Sequence, residues 1–445
     1  MNFAVGTVFT GYLVADLAIA LALVLSLGLT AQSVYTLYLM LYTWDQPDAY
    51  DRAQAPKSFL PPKLSFTVLL PARHEEDVIA TTLARLAGAN YPAELIEIVV
   101  ICSADDTGTI AEAQGKVDAL HAAGRTNCRV LTFADKPINK PHGLNVGFRE
   151  TGNQVVTIFD SEDDIHPDIF NVVNTVMESE KVRVVQCGVQ LMNFHSNWYS
   201  SLNVLEYFFW FKSRLHYHAA LGMTPLGGNT VFFAREVMEQ VGGWDDQNLT
   251  EDADVGIRLS ALREPIRIVY DDRYVTREET PPTLGHFIKQ RTRWSQGFLQ
   301  TFKKGEWRRL PLREQRMLAA YTLGFPTLQA VLGLYLIASI VMMFTFKTPV
   351  LTAIILALPL YLLAAHLLLA LLGLYEFTSA HGMRPSWHTP LIMAVGYLPY
   401  QWVLSYASVR ATLRELRGIN NWEKTAHIGA HRQAAVPSPS GKGLG

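Results

Sequence analysis

Asp160 and Glu162 stand one residue apart after the apolar run 154–159, so both carboxylates can reach one hard cation that also bridges phosphate oxygens. The same residues fit an acidic turn before the helix start at His166-Pro167-Asp168, where the helix dipole favours negative charge anyway. A second acidic group, Thr250-Glu251-Asp252 with Asp254, opens a predicted helix that runs to Ser260. It reads either as a capping threonine with acids in the first turn, or as a general base taking a proton from an incoming hydroxyl. Lys140 and Asn145 suit phosphate and ribose, or simply stand at the surface of a helix start. Gly227-Gly228-Asn229 precedes an apolar run, and its glycines permit close backbone approach of a ligand or a plain strand bend.

A third group is basic and aromatic. On a helix, Gln290, Arg293, Trp294 and Gly297 fall at i, i+3, i+4 and i+7 and share one flank. Leu284, Phe287, Ile288, Phe298, Leu299 and Phe302 form the adjacent apolar stripe, followed by Lys303, Lys304, Arg308 and Arg309. This predicts an amphipathic helix at a membrane surface that offers an amide, a guanidinium and an indole to whatever stands above it. A cationic helix that only anchors the soluble part has the same pattern.

Around these residues, β-rich runs at 65–70, 96–101, 129–133 and 154–159 alternate with helical patterns at 76–88, 108–123 and 141–150. The alternation predicts a parallel α/β sheet, with ligands at the carboxyl ends of its strands. Each run is followed by polar residues: Arg73-His74-Glu75, then Asp105-Asp106, then 136–140, then Asp160 to Asp164. The thirteen histidines form no ligand set, and His427 and His431, at i, i+4 in a polar tail, read as solvated.

The 445 residues carry 38 Lys+Arg against 40 Asp+Glu, a balance that excludes a strongly basic nucleic-acid binder. Uncharged apolar runs at 17–40, 318–346, 350–375 and 391–409 each approach or exceed the roughly 18 to 20 residues that span a bilayer. Cys102, Cys128 and Cys187 show no paired spacing, which suits a reducing compartment. Lys57, Lys63, Lys303, Lys304, Arg308, Arg309, Arg313 and Arg316 flank the first two runs on the side of the polar segment, as a cytosolic domain requires. Four crossings would then leave the tail outside, although Arg410, Arg414, Arg417, Lys424 and Arg432 argue for inside. A re-entrant or interfacial 390–409 run, a break at Pro326 or a hairpin in the first run would each resolve the conflict.

In their order along the chain these groups resemble the membrane-embedded, inverting family-2 glycosyltransferases, which include cellulose, hyaluronan and chitin-oligosaccharide synthases. Pro71-Ala72-Arg73-His74-Glu75-Glu76 matches the opening nucleotide-pocket motif, and Asp105 or Asp106 the base-contacting aspartate. Asp160-Ser161-Glu162 matches DxD, Thr250-Glu251-Asp252 matches TED, and Gln290-Arg291-Thr292-Arg293-Trp294 matches QxxRW. The resemblance covers roughly residues 64–310, and Asn421-Trp422-Glu423-Lys424-Thr425 is similar to the tail of bacterial members. Glu162 in place of an aspartate and His74 in place of asparagine are the departures.

The resemblance implies an α/β GT-A domain, Rossmann-like, plus an α-helical transmembrane region with an amphipathic interface helix. The expected organisation is a span at 1–45, a cytosolic domain at 46–282, interface helices at 283–316, spans within 317–412, and a polar, partly disordered tail at 413–445. It further implies transfer from a nucleoside diphosphate sugar, UDP-linked, with Mg2+ or Mn2+ on Asp160 and Glu162. Pro71, Arg73, Glu75, Asp105, Asp106, Lys140, Asn145 and Asp160 would bind the donor. Asp252 would be the base, with Glu251, Arg293 and Gln290 beside the reacting groups, and Trp294, Gly228 and Asn229 would bind the acceptor. The expected setting is the inner membrane, with the bilayer and a glycan or lipid-linked acceptor as partners, no nucleic acid, and a homo-oligomer or secretion partner left open. Transfer to polyprenyl phosphate and an inactive secretion scaffold are the alternatives. A transporter fits poorly, because the apolar runs hold few ionisable groups beyond Asp16 and His366.

Overall fold

A computed structural model of the chain describes residues 13–345, 348–425 and 429–433, and the expected disorder after 435, with His427, lies outside them. The nine strands are β1 (Phe66–Ala72), β2 (Ile96–Ser103), β3 (Cys128–Phe133), β4 (Val155–Ile158), β5 (Val184–Cys187), β6 (Val189–Leu191), β7 (Val231–Ala234), β8 (Ile266–Val269) and β9 (Thr276–Glu278). Seven form one sheet in the order β3-β2-β1-β4-β7-β5-β8, and β6 pairs with β9. Side chains alternate between faces with period two. Leu69, Val99, Ile101, Val156 and Ile158 pack into one core, while Val68, Leu70, Ile98 and Val100 pack into a second on the opposite face.

The first four strands pair in parallel, as the alternating pattern predicts. The sheet as a whole is mixed, because β7 runs antiparallel to both β4 and β5. That reversal has a chemical consequence. The start of β7 lies at the carboxyl end of β4, where Thr230 N donates to Ile158 O at 2.8 Å, so the Gly227-Gly228-Asn229 turn arrives beside Asp160.

Three helices among the described residues are long and apolar enough to cross a membrane: Asp16–Asp45, Arg313–Thr345 and Val350–Ala380. Their near ends meet the sheet domain at one level. Ser213 Oγ donates to Leu39 O, Gln315 Nε2 to Leu221 O, and Lys212 pairs with Glu376. The first is one continuous helix rather than a hairpin. The 391–409 run, read above as a fourth crossing, lies in helix Thr389–Leu416 and follows helix Leu284–Lys304 along its length. Tyr400 stacks on Phe287, Ser408 meets Ser295, and Glu415 pairs with Lys303. This packing favours the interfacial alternative for the run, under which the basic tail lies on the domain side.

The three cysteines are buried, and burial pushes the thiols of Cys102 and Cys187 up to about 12 and that of Cys128 up to about 11. They should stay silent toward a membrane-impermeant maleimide. Cysteines placed at exposed Lys57 and Arg417 should label from one side of sealed vesicles and one at Val350 from the other. Labelling of Arg417→Cys and Val350→Cys from the same side would refute the interfacial placement.

Candidate active site

The carboxyl ends of the strands and the flank of helix Leu284–Lys304 enclose a cavity of about 1050 Å3 that continues between the three long helices. Pro71, Arg73, Glu75, Lys140, Asp160, Glu162, Gly228, Asn229, Glu251, Asp252, Gln290, Arg293 and Trp294 all line it. Asp105, Asp106 and Asn145 do not. Asn145 instead ties two backbones together, donating to Trp244 O at 2.7 Å and accepting Trp244 N at 2.9 Å. Asp106 accepts the His74 N–H at 2.6 Å and holds that residue at φ 55°, a left-handed conformation. Burial works against its charge, yet the His74 and Thr109 N–H groups hold its pKa below the usual value. Asp105 is the exposed aspartate, bonded by Ser103 and by Arg73 at 3.2 Å.

Lys140, at the start of helix Lys140–Arg149, pairs with Asp160 and donates to Gly228 O at 3.1 Å. Gly228 lies close against the site: a Cβ there would stand 3.1 Å from Asp252 Oδ2, so that carboxylate would have to shift by a few tenths of an ångström, and 3.7 Å from Lys140 Nζ, an ordinary contact. Thr250 starts helix Glu251–Ala261 without capping it through its side chain, so capping does not account for Thr250-Glu251-Asp252. Asp252 Oδ1 accepts the Ala253 N–H at 2.8 Å. Burial first and the charge of Asp252 second push Glu251 up to about 7. Burial also raises Asp252, opposed by the Ala253 N–H and by Lys140 and Arg293.

Below them Asp163 is buried, its Oδ2 accepting the Asp160 N–H at 2.8 Å while Asn229 Nδ2 donates to both its oxygens at 3.0 Å and to Glu278. Burial, then Glu278, Asp160 and Glu162, push its pKa well above the carboxylate range. Burial opposes the charge of Lys140, but Asp160, Glu251 and Asp252 outweigh it and hold the pKa above that of free lysine.

Two positions bear on a metal. Among the described residues, His74, Glu76 and Asp106 bring one ligand atom each within 4.8 Å of one another, apart from the expected Asp160 and Glu162. At the latter pair the donors are oxygens only. Carboxylates there outnumber the facing cations, Lys140, Arg293 and, beside Glu162, Arg432, which is the environment a hard divalent cation takes. The residues present fit such an ion.

Helix Leu284–Lys304 turns a largely polar face inward: Gln290, Thr292, Gln296, Gly297 and Thr301 are buried together with Phe287. Most of the apolar stripe read from the sequence, Ile288, Phe298, Leu299 and Phe302, is only partly covered. Gly297 explains its own place on the flank. A Cβ would sit 2.6 Å from Thr250 N, so the helix crosses the loop before Glu251 in direct backbone contact. Asn248 Nδ2 donates to Thr301 Oγ1 at 2.8 Å and Leu249 N to Gln300 Oε1 at 3.0 Å, which fixes that crossing.

It leaves Gln290 Oε1 and Arg293 Nε buried in the cavity wall without a hydrogen-bond partner. Arg293 stacks 4.2 Å from the centre of the Trp422 ring. Trp294 lies 6.0 Å from Tyr207 and carries the Arg291 guanidinium 4.9 Å from its centre, while Arg291 pairs with Glu206.

The tail covers the open side. Lys424 reaches Glu75 at 2.9 Å, Arg410 grips Glu423 at 2.7 and 2.6 Å, and Gly429 N donates to Glu279 at 3.1 Å. His431 is buried beside Glu279, not solvated as its polar surroundings suggest. Glu206, Tyr207 and Glu278 also line the cavity and carry no motif in the sequence. Asp163, beneath it, is marked only by its place in the acidic run after β4.

The family model "Glycosyltransferase like family 2" matches residues 61–297, more than half of the chain, and the chain belongs to this family. It is 30% identical over 247 residues to "Probable glycosyltransferase YdaM" of Bacillus subtilis, covering 53% of this chain and 55% of that protein. It is 26% identical over 245 residues to a beta-monoglucosyldiacylglycerol synthase of Nostoc, covering 53% and 49%. The chain thus spans about half the length of the curated relatives it matches. Among solved structures, the mannosyltransferase PcManGT of Pyrobaculum calidifontis, in complex with GDP-Man and Mn2+, superposes with a TM-score of 0.51. That likeness, at 20% identity, covers 89% of this chain and 99% of that one and establishes the GT-A fold.

Two measurements follow from this geometry. Gly297→Val should lower stability by about 1–3 kcal/mol through overpacking and cut transfer further, because the Arg293 flank is displaced from Asp252; an unchanged melting temperature and rate would contradict the crossing. Glu251 has a folded pKa of about 7, above its unfolded value, so it keeps a proton that the unfolded chain has lost. Its contribution to stability therefore falls as pH rises through that interval. In the absence of metal and donor, the melting temperature of Glu251→Gln relative to the native chain should rise between about pH 5 and pH 8. A constant difference would show that Glu251 is not charged against burial.

Proposed function

We propose that the protein transfers a sugar from a nucleoside diphosphate donor, UDP-linked, to a hydroxyl of a membrane-borne glycan or glycolipid, with inversion at the anomeric carbon. The observation that carries the proposal is the single cavity in which Lys140, Asp160 and Asp252 face Gln290, Arg293 and Trp294.

Arg293 holds its guanidinium face on Trp422 while Nε stays unpaired, which leaves a donor edge for the leaving diphosphate. Lys140 adds a second cation at the same end. A divalent cation on Asp160 and Glu162 supplies charge neutralisation there when bound. Asp252, raised by burial and set against Gly228, takes the proton of the attacking hydroxyl. Trp294 offers an indole face to the acceptor sugar, oriented by Arg291.

Extension of a glycan and transfer to a lipid share this chemistry. A lipid-borne acceptor is favoured by the continuation of the cavity between the three long helices, and the synthase of Nostoc named above acts in glycolipid formation by its own name. The positive flank at the domain side of the spans supports a cytosolic domain on the inner membrane.

Chelator should abolish transfer, and Mn2+ or Mg2+ should restore it; full turnover in excess chelator would end the metal assignment. Asp252→Asn should lower transfer by about 10² or more while UDP binding by calorimetry is retained. Trp294→Ala should reduce acceptor-dependent transfer and leave UDP affinity nearly unchanged, whereas Arg293→Ala should weaken UDP. Equal residual activity per folded molecule in both variants would make the helix a mere anchor.

A further inference from the structure

The chain from Ser200 to Leu221 is helical, but its middle turn, Trp210–Arg214, winds as a π-helix where the domain meets the spans. Single π turns are uncommon and gather at functional positions because they re-aim a side chain. Here the turn delivers Arg214 to the part of the cavity bounded by the three long helices. Its guanidinium stands 5.3 Å from the ring centre of Trp210 and 5.8 Å from that of Phe325, on the second span. Gln32 and Ser33 of the first span and His366 of the third line the same cavity.

Arg214 is partly buried, its Nε is buried without a hydrogen-bond partner, and its guanidinium forms no ion pair among the described residues. Its neighbours are treated differently. Lys212, two residues earlier, is paired with Glu376, and Arg291 with Glu206. The residues that the spans contribute to the cavity include no carboxylate to serve Arg214. A permanent cation set between membrane helices without a counter-ion is costly, and such residues mark ligand sites. The planar fork of arginine suits phosphate. Beyond it the wall turns apolar at Leu332, Leu363 and Ala370, which suits hydrocarbon and not a sugar chain.

We infer that Arg214 is the counter-ion of a phosphate-bearing anionic lipid, whose chains lie between the three spans and whose head group reaches toward Trp294 as the acceptor side of the reaction. The identification of this lipid as acceptor rests on the function proposed above; the binding site does not. Arg214 acts by holding the lipid and touches no reacting atom.

The test uses the full chain in nanodiscs of phosphatidylcholine, with phosphatidylglycerol or diacylglycerol added, and reads the melting temperature and labelling by a photoreactive phosphatidylglycerol. Phosphatidylglycerol should raise the melting temperature and diacylglycerol should not. Arg214→Gln should weaken the phosphatidylglycerol effect about tenfold or more, and Arg214→Lys should keep part of it. UDP affinity should be unaltered in both variants. Equal labelling of the native chain and Arg214→Gln would overturn the site, as would equal stabilisation by inorganic phosphate, which would make the ligand a free anion. Stabilisation by an acidic oligosaccharide such as oligogalacturonate in place of the lipid would overturn it in favour of a glycan. If the native chain fails to bind UDP or to hydrolyse any nucleotide sugar, the reaction falls while the lipid site stands on its own binding data.

Discussion

Too much negative charge in too little water is the condition to which the rest of this site answers. Asp160, Glu162, Glu251, Asp252 and Glu278 face one cavity with Asp163 beneath, and the cations set against them are Lys140, Arg293 and Arg432. Burial displaces Asp163, Glu251 and Asp252 upward, and repulsion by neighbouring carboxylates adds to it at Asp163 and Glu251. Such an arrangement survives folding only if other interactions hold it. The Asn229 amide bridges Asp163 and Glu278, and the Asp160 N–H closes on Asp163. Positive charge brought to Asp160 and Glu162 would relieve the strain further.

The second constraint is mechanical. The carboxylates belong to the sheet domain and Arg293 to a helix at the membrane level, and the two parts must be registered to fractions of an ångström for the charges to act together. Gly297 makes this possible by letting the Leu284–Lys304 backbone rest on Thr250, one residue before Glu251. Asn248, Thr301 and Gln300 lock the same crossing with neutral hydrogen bonds, leaving the charged groups free for ligand. Helix Thr389–Leu416 then braces the outer side, and through Arg410 and Glu423 it positions Trp422 on Arg293. A contact between backbones in one place thereby determines which edge of a guanidinium is available in another.

How much of this could be read from the chain follows from the range of each interaction. The first four strands are local apolar runs of period two, and the sequence pattern places them within a few residues. The reversal of β7 is not local, since it depends on where the helical segment 200–221 returns to the sheet, and nothing in Val231–Ala234 itself signals direction. Asp160, Asp252, Arg293 and Trp294 are legible as residues of one cavity because each sits in a compact motif, whereas Lys140 reaches the same cavity without one. Asn145 does not line the cavity and bonds the Trp244 backbone, and a helix-start asparagine of that kind looks the same in sequence as one that meets a ribose. Glu278, Glu206 and Tyr207 were invisible for the opposite reason: each is a single residue whose role exists only after the sheet and the interface helix have met. The fourth apolar run has the length of a span, and its contacts with Phe287, Ser295 and Lys303, which no sequence pattern reveals, set it along the Leu284–Lys304 helix.

The tail ties these levels together. Lys424 sits on Glu75 at the end of β1, Trp422 on the membrane-level helix, and Arg432 donates to Val78 O at 3.2 Å beyond them. Where the long helices cross a membrane, these contacts put the tail and the domain on one side of it, with an even number of crossings between them. Two of the three long helices lie in that interval, a number that meets this parity without a crossing by Thr389–Leu416. The same parity explains the basic residues of the tail. On the side where the sheet domain lies, Lys424 meets Glu75, and Arg410 and Arg414 meet Glu423, instead of lipid head groups. Membrane topology and active-site closure are thus one geometric fact, set by where the last described residues of the chain make their bonds.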